Sequence, residues 1–169
     1  QRLRIVCEVA QALIYLHTPI PGGKSRVLHR DVKPSNILLD ASLNAKLADT
    51  GMAKAAEGHQ AAASHMSTLN VTGTPGFLDP LVVNAGQHSE LTDGFALGVT
   101  LLMVLTARVA VGLLEACEEA LEEPQEASTV ADDTAGWPDA VASEVMRVAT
   151  GLLTPRKRSR MALPDALEA

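Results

Sequence analysis

The sequence predicts a mainly α-helical domain built around one buried helix, with a small β-hairpin beside it. Three observations support this fold class. Apolar residues recur at helical spacing over 2–17, residues 92–106 are apolar on nearly every helical face, and two short apolar runs flank the turn 40–44. Because a helix that is apolar all round must be buried on most sides, we expect 92–106 to lie at the centre of the domain.

The boundaries of the other elements follow from local signals. The first helix should end before Pro19, because proline cannot continue a helix. Segments 37–39 and 45–47 should form the two strands of the hairpin. Two further helices are expected at 141–153 and from Pro164 onward.

Two segments are predicted to face solvent. Residues 51–76 are mostly Ala, Ser, Thr, His and Gly and present no face that could be buried, so we expect a mobile surface loop. Between residues 115 and 126, six glutamates occur at mixed helical spacing. A solvated helix face explains them better than an acidic docking site does.

Length and composition indicate one folded domain, residues 1–169. The chain is 47% apolar but only 2% aromatic, so aliphatic side chains must form the core. The net charge of −6 offers no basic surface and argues against a nucleic-acid partner. Cys7 and Cys117 lie far apart without metal-binding spacing, which favours two reduced thiols.

Nothing in the sequence predicts a membrane span or a signal peptide. The amino terminus carries charges throughout an amphipathic helix, which is not typical of a secretory signal. The apolar run 95–107 has 13 residues, and runs of about 10–14 are more often buried core helices than spans. The two free thiols predict an intracellular protein, either cytoplasmic or on the cytoplasmic side of a membrane.

A reactive loop is predicted at residues 29–36, which read HRDVKPSN. Phosphoryl transfer needs a carboxylate near the attacking hydroxyl, a cation on the moving phosphate and oxygen ligands for magnesium. Asp31, Lys33 and Asn36 supply these three groups within one short loop. An Asp followed five positions later by Asn is the catalytic-loop spacing of protein kinases.

On these residues the chain resembles eukaryotic protein kinases, and the resemblance implies a role for each position. Asp31 would be the catalytic base, and Lys33 would contact the transferring phosphate, as in kinases that act on serine and threonine. Asn36 would ligate magnesium and Leu38 would lie under the adenine of ATP. An aminoglycoside-type phosphotransferase is the alternative, but it usually lacks the HRD-x-K context.

A second metal ligand is implied where kinases have Asp-Phe-Gly. Here the sequence is Asp49-Thr50-Gly51, so Asp49 would bind magnesium through its carboxylate oxygens. The phenylalanine of the family packs against the loop histidine, which is His29 in this chain. Thr50 is expected to leave a smaller, polar plug there, which puts activity and its switching in doubt.

Residues 73–80 read GTPGFLDP and resemble the receptor-like, Pelle and interleukin-receptor-associated kinases. The resemblance implies that 49–80 is the activation segment and that Thr74 hydrogen-bonds to Asp31 and Lys33. It also implies that Asp93, at the start of the buried helix, braces the backbone of the catalytic loop.

A departure from this group occurs at Leu81, where its members have a glutamate that pairs with a buried arginine. Arg158 occupies the matching position of that arginine. A buried guanidinium without its carboxylate is costly, so Arg158 is expected either to turn to solvent or to take another acid. We therefore predict a looser domain than that of its relatives.

By the same resemblance, Arg30 would bind a phosphate carried by the activation segment. The candidate hydroxyls are Ser64, Ser67, Thr68 and Thr72. Such a phosphate would order the segment through charge-assisted hydrogen bonds.

The resemblance covers the carboxyl-terminal lobe of a kinase domain only. No G-x-G-x-x-G and no Val-Ala-x-Lys strand precedes residues 29–36, so the amino-terminal lobe is expected to be missing from this chain. The predicted function is a serine/threonine protein kinase that uses ATP and Mg²⁺ and a protein substrate. The alternative is a pseudokinase or scaffold that binds proteins without catalysis.

Overall fold

The chain is described here by a computed structural model that covers residues 1–55, 66–67 and 73–169. Within these residues the helices are α1 (Arg2–His17), α2 (Pro80–Ala85), α3 (Glu90–Thr106), α4 (Leu113–Ala116), α5 (Glu118–Glu122), α6 (Asp139–Leu153) and α7 (Leu163–Glu168). The strands are β1 (Val27–Leu28), β2 (Ile37–Leu39), β3 (Ala45–Leu47), β4 (Lys54–Ala55), β5 (Met66–Ser67) and β6 (Gln87–His88). The predicted mainly α-helical fold is confirmed.

Helix α3 forms the centre of the domain, as predicted. It packs against α1, α4, α6 and α7, and most of its residues are buried. A capping box starts the helix: the backbone N–H of Ser89 donates to Thr92 Oγ1 at 2.9 Å. The helix ends at Ala107, whose φ of 55° lies in the left-handed region.

Helices α3 and α6 cross closely at Gly98. A Cβ atom at this position would lie 3.0 Å from the Cβ of Leu152 and 3.0 Å from the Cγ of Leu153. Glycine therefore allows the two backbones to approach, and α6 presents Ala142 and Ala149 as small buried residues on its inner face.

The predicted hairpin is present and lies against α1. Strands β2 and β3 pair antiparallel, with Ile37 opposite Leu47 and Leu39 opposite Ala45. The backbone N–H of Ala45 donates to Glu8 Oε2 of α1 at 2.6 Å. Two further antiparallel pairs, β1 with β4 and β5 with β6, lie beside the loop that follows β1.

The acidic segment faces solvent, as predicted. It forms α4, α5 and the 3-10 turn Pro124–Thr129 rather than one continuous helix. Its exposed glutamates are Glu115, Glu118, Glu119, Glu122, Glu123 and Glu126. Most of the predicted surface loop 51–76 lies outside the described residues.

Both cysteines are free thiols. Cys7 is exposed on α1, whereas Cys117 is buried, and this burial raises the pKa of its thiol. In the part of the chain that the structure covers, no helix combines the length and the apolar character needed to cross a membrane.

The buried arginine near the carboxyl terminus is Arg160, which the sequence analysis did not identify. Arg158 turns to solvent, the first of its two expected alternatives, and Leu81 is half-buried. The side chains of Arg160 and Asp79 have no exposed surface and form an ion pair. Asp79 and Arg160 thus supply a buried ion pair in this region, whereas a domain looser than that of its relatives stays a prediction.

Candidate active site

Asp93 of α3 holds the backbone of the loop at residues 29–36. The two carboxylate oxygens of Asp93 accept hydrogen bonds from the backbone N–H groups of His29 and Arg30, each at 2.8 Å. Arg30 has a φ of 72°, a conformation that is costly for a residue with a side chain. The predicted bracing by Asp93 is therefore present, and it stabilises a strained backbone.

Three side chains converge on the carboxylate of Asp31, which is 6% exposed. Thr74 Oγ1 donates to Oδ1 at 2.7 Å, and Lys33 Nζ lies 2.7 Å from Oδ2. Asn36 Nδ2 donates to Oδ2 at 3.1 Å and to the backbone oxygen of Asp31 at 2.8 Å. The carboxylate is thus held in one orientation by neighbours from two separate segments.

These contacts keep Asp31 ionised. Burial alone would raise the pKa of its carboxyl group, but hydrogen bonds from Lys33, Thr74 and Asn36 and the charge of Lys33 outweigh burial. The pKa of Asp31 consequently lies below its usual value. A carboxylate in this state can accept a hydrogen bond from a substrate hydroxyl.

Thr74 connects the segment 73–80 to the loop. Its hydroxyl donates to Asp31 and accepts a hydrogen bond from Lys33 Nζ at 2.7 Å. Both hydrogen bonds implied by the resemblance are present. Because one hydroxyl contacts the anion and the cation together, it fixes the position of each relative to the other.

Asn36 and Asp49 are brought to neighbouring positions by the hairpin. The backbone N–H of Ala48 donates to the carbonyl of Asn36 at 2.8 Å, which continues the β2–β3 ladder by one residue pair. Asp49 follows at once, is exposed, and adopts a φ of 60°. The end of the hairpin therefore carries the buried amide of Asn36 and the exposed carboxylate of Asp49 on neighbouring strand ends.

This donor set fits a magnesium ion. Carboxylate and amide oxygens are hard ligands, and Mg²⁺ is usually held by one or two protein groups together with water and phosphate. Across the described ranges, no group of three or more His, Cys, Asp or Glu side chains could hold a metal by itself. Asn36 and Asp49 would thus bind Mg²⁺ only together with other ligands, such as phosphate oxygens.

Leu38 presents an apolar surface beside these ligands. It lies on β2, two residues after Asn36, and its side chain is 57% exposed. A large exposed aliphatic group can contact a flat apolar ring such as adenine.

Thr50 does not act as the polar plug expected from the sequence. It is exposed and begins the 3-10 turn Thr50–Met52, so its side chain does not fill a buried space. His29 is fully buried, and its Nε2 atom lies 3.0 Å from the carbonyl oxygen of Ala48. A threonine side chain is too short and too polar to replace a packed phenyl ring.

His88 is a part of the site region that the sequence analysis missed. It is 2% exposed, and its Nε2 atom lies 3.4 Å from an Nη atom of Arg30. Burial, together with the charge of Arg30, lowers its pKa to about 4. A lone histidine gives no sequence signal for such a contact.

The proposed phosphate acceptors cannot be placed beside Arg30. Ser64, Thr68 and Thr72 lie outside the described residues. Ser67 belongs to β5, which pairs with β6 so that Ser67 is opposite Gln87 and Met66 is opposite His88. Phosphorylation of this segment stays a prediction.

The chain is similar to a known protein family and to several known proteins. The protein kinase domain family matches residues 1–169. U-box domain-containing protein 51 of Arabidopsis thaliana is 38% identical over 166 residues, covering 95% of this chain and 20% of that protein. A probable LRR receptor-like serine/threonine-protein kinase of the same plant is 45% identical over 111 residues, covering 66% of this chain and 12% of the relative.

A third relative, L-type lectin-domain containing receptor kinase VII.1 of Arabidopsis thaliana, is 43% identical over 108 residues, which is 64% of this chain and 15% of its own length. The chain therefore spans a fifth or less of the length of these relatives. The resemblance to receptor-like serine/threonine kinases is confirmed, and the chain belongs to the protein kinase domain family.

Proposed function

We propose that this chain is the catalytic part of a serine/threonine protein kinase that transfers the γ-phosphate of ATP to a protein hydroxyl. The observation that carries the proposal is the contact of Thr74 with both Asp31 and Lys33. This contact holds an oriented carboxylate and a cation next to each other. Phosphoryl transfer requires both groups to be positioned around the reacting phosphate.

Asp31 is proposed to orient the attacking hydroxyl and to take its proton. The hydroxyl oxygen forms a bond to the γ-phosphorus, the bond from that phosphorus to the bridging oxygen of ADP breaks, and the proton moves to an oxygen of Asp31. The low pKa of Asp31 supports this role, because the carboxylate is ionised before the substrate arrives.

Lys33 is proposed to balance the charge of the transferred phosphoryl group. An ammonium group has three N–H donors, and the Nζ of Lys33 lies 2.7 Å from both Asp31 Oδ2 and Thr74 Oγ1. One donor is left for a phosphate oxygen. Its partners hold the ammonium in place without using all of its donors.

Asn36 and Asp49 are proposed to hold Mg²⁺, and Leu38 to contact the adenine of ATP. The ion would neutralise phosphate charge when it is bound. Asp49 and the side chain of Leu38 are exposed. Their exposure supports the roles of these two residues, because Mg²⁺ and ATP must reach them from solvent. Because ATP and thiols are intracellular features, we propose an intracellular location for the protein.

A pseudokinase that binds proteins without catalysis is the second candidate. It is favoured by Thr50, which is exposed where the family has a packed phenylalanine. In that case the fold would serve as a binding surface, and Asp31 would have no proton to accept.

The test combines nucleotide binding with phosphate transfer. The thermal midpoint is measured with and without Mg²⁺ and ATP, and transfer of radiolabelled phosphate to a generic protein substrate is followed. A ligand that binds only the folded state must raise the midpoint. Both measurements are made on this chain and on a version extended at its amino side, because the relatives are several times longer.

Asp31→Asn is expected to abolish transfer while leaving the fold intact. Asp133→Asn is the matched control, since Asp133 lies exposed in a surface turn. Binding of Mg²⁺ and ATP without transfer in either version would favour the pseudokinase. No binding in either version would reject the binding of ATP and Mg²⁺, and with it the kinase function.

A further inference from the structure

The segment that carries Thr74 is attached to the rest of the domain at Asp79. Between these residues the backbone N–H of Phe77 donates to the carbonyl of Thr74 at 3.1 Å, which closes a turn. Gly76 rests on the loop after α3, where an added Cβ would lie 2.9 Å from the Cβ of Ala110. Asp79 then begins α2 by accepting a hydrogen bond from the N–H of Leu81 at 2.8 Å.

The carboxylate of Asp79 is buried in full, so its charge needs a partner. Arg160 is that partner: its Nη1 atom binds Asp79 Oδ2, and its Nη2 atom lies 3.3 Å from Oδ1. The pairing joins two residues 81 positions apart in the chain. A two-point contact of this kind fixes orientation as well as charge.

Arg160 is itself anchored on three sides. Its Nε donates to the carbonyl of Thr154 at 2.8 Å, and Nη1 reaches the carbonyl of Leu91 at 3.4 Å. The guanidinium also lies over the ring of Phe95, 5.3 Å from the ring centre. The cation is therefore held by α3 and by the residue that directly follows α6.

Asp79 of the ion pair lines one small cavity together with residues of the candidate active site. This space, about 20 Å³, is lined by Asp31, Thr74, Asp79, His88 and Asp93 among others. It is about large enough for one water molecule. Asp79, Thr74 and Asp31 therefore line the same small space, so a shift of Asp79 would change the packing around the other two.

We infer that Asp79 and Arg160 are positioning residues that hold Thr74 in contact with Asp31 and Lys33. Neither would touch the substrate, and both act through the segment between Thr74 and Asp79. The pair takes the place of the glutamate–arginine contact that Leu81 and Arg158 do not form in this chain. The inference rests on the proposed kinase function and adds residues that the catalytic-loop motif does not contain.

The test compares Arg160→Met with Arg158→Met, which changes an exposed arginine two positions away. Amide hydrogen exchange of Phe77 reports the turn at Thr74 without any need for activity. We expect Arg160→Met to accelerate this exchange at least tenfold more than it accelerates exchange of amides in the middle of α3, which report the loss of overall stability. In the same variant kcat should fall at least tenfold, with the KM for ATP within twofold. Arg158→Met should change neither quantity.

Asp79→Asn with Arg160→Met separates positioning from stability, because it removes both buried charges together. This double variant should recover the thermal midpoint but keep fast exchange at Phe77 and a low kcat. It also serves as the test protein if Arg160→Met alone does not fold. Parental kcat in the double variant would overturn the inference, and so would unchanged Phe77 exchange in a folded variant without Arg160.

The two proposals fail in different ways. If the parent transfers no phosphate but Phe77 exchange still depends on Arg160, the anchoring of Thr74 is supported and the kinase function is rejected. If transfer occurs and does not depend on Arg160, the kinase function stands and the positioning role is rejected.

Discussion

The Nε2 atom of the buried His88 accepts a hydrogen bond from the half-buried Arg30 across 3.4 Å. A histidine that accepts from a guanidinium must be neutral at that nitrogen. Asp93 and Asp79 are the nearby carboxylates, and they offset only part of the effect of burial and of Arg30. The result is a pKa of about 4 for His88.

The first prediction concerns the pH dependence of stability. The pKa of His88 is about 4 in the folded state and near 6.5 when unfolded, so the unfolded chain binds an extra proton between these values. The free energy of unfolding should therefore fall as the pH decreases from 6.5 to 4, by about 2 kcal/mol after allowance for solvent screening. Urea unfolding at several pH values measures this change.

His88→Gln provides the control for that experiment, because glutamine keeps a polar side chain and does not titrate. Its unfolding free energy should depend less on pH in the same range. An equal slope in the parent and in His88→Gln would contradict the assignment.

The second prediction concerns Thr74. Thr74→Val removes the hydroxyl that contacts Asp31 and Lys33, and hydrogen bonds to charged groups contribute about 1.5–3 kcal/mol. We expect kcat to fall about 10- to 100-fold. Thr74→Ser retains the hydroxyl and should keep most of the activity. If valine and serine behave alike in steady-state assays, the hydroxyl has no role.

The third prediction concerns Asp93. Asp93→Ala leaves the N–H groups of His29 and Arg30 without their acceptor and removes the contact with His17 Nε2 at 2.8 Å. We expect a loss of about 3–5 kcal/mol in unfolding free energy, since a buried polar network is broken. Asp165→Ala, at an exposed position of α7, should change it by less than about 0.5 kcal/mol. Denaturant titration of both variants decides this.

The fourth prediction compares two glycines of α3. Gly98→Ala places a Cβ 3.0 Å from Leu152 and Leu153 and should destabilise the domain by about 1–3 kcal/mol. At Gly94 the nearest atoms would be 3.7 Å away, an ordinary contact, so Gly94→Ala should gain up to about 1 kcal/mol from helix propensity. Thermal unfolding should move the two midpoints in opposite directions, and a stabilised Gly98→Ala would disprove the close crossing.

The fifth prediction concerns the metal ligands. Asp49→Asn removes the carboxylate charge at the end of the hairpin, and a hard cation binds a neutral amide less well. The Mg²⁺ concentration for half-maximal transfer should rise at least about tenfold. Asp133→Asn should leave it unchanged, and chelation of Mg²⁺ should stop transfer in every variant. An unaltered Mg²⁺ requirement in Asp49→Asn would remove Asp49 from the site.

Local pattern was enough to predict much of the fold. The apolar run of α3, the amphipathic face of α1 and the hairpin of β2 and β3 all result from side-chain periodicity over a few residues. The sequence also pointed to Asp31, Lys33, Asn36, Asp49 and Thr74 as candidate site residues, because their spacing matches a family motif. Their roles stay predictions, but the structure brings Thr74, Lys33 and Asn36 to Asp31.

The choice between Arg158 and Arg160 was decided only by the tertiary structure. Both lie in one basic run, and spacing alone cannot tell which side chain turns inward, because Arg158 lies within the 3-10 turn Lys157–Ser159 and Arg160 directly follows it. Arg160 turns inward because the buried charge of Asp79, 81 positions earlier in the chain, needs a charged partner. The contact of His88 with Arg30 likewise joins residues 58 positions apart and depends on packing that periodicity does not encode.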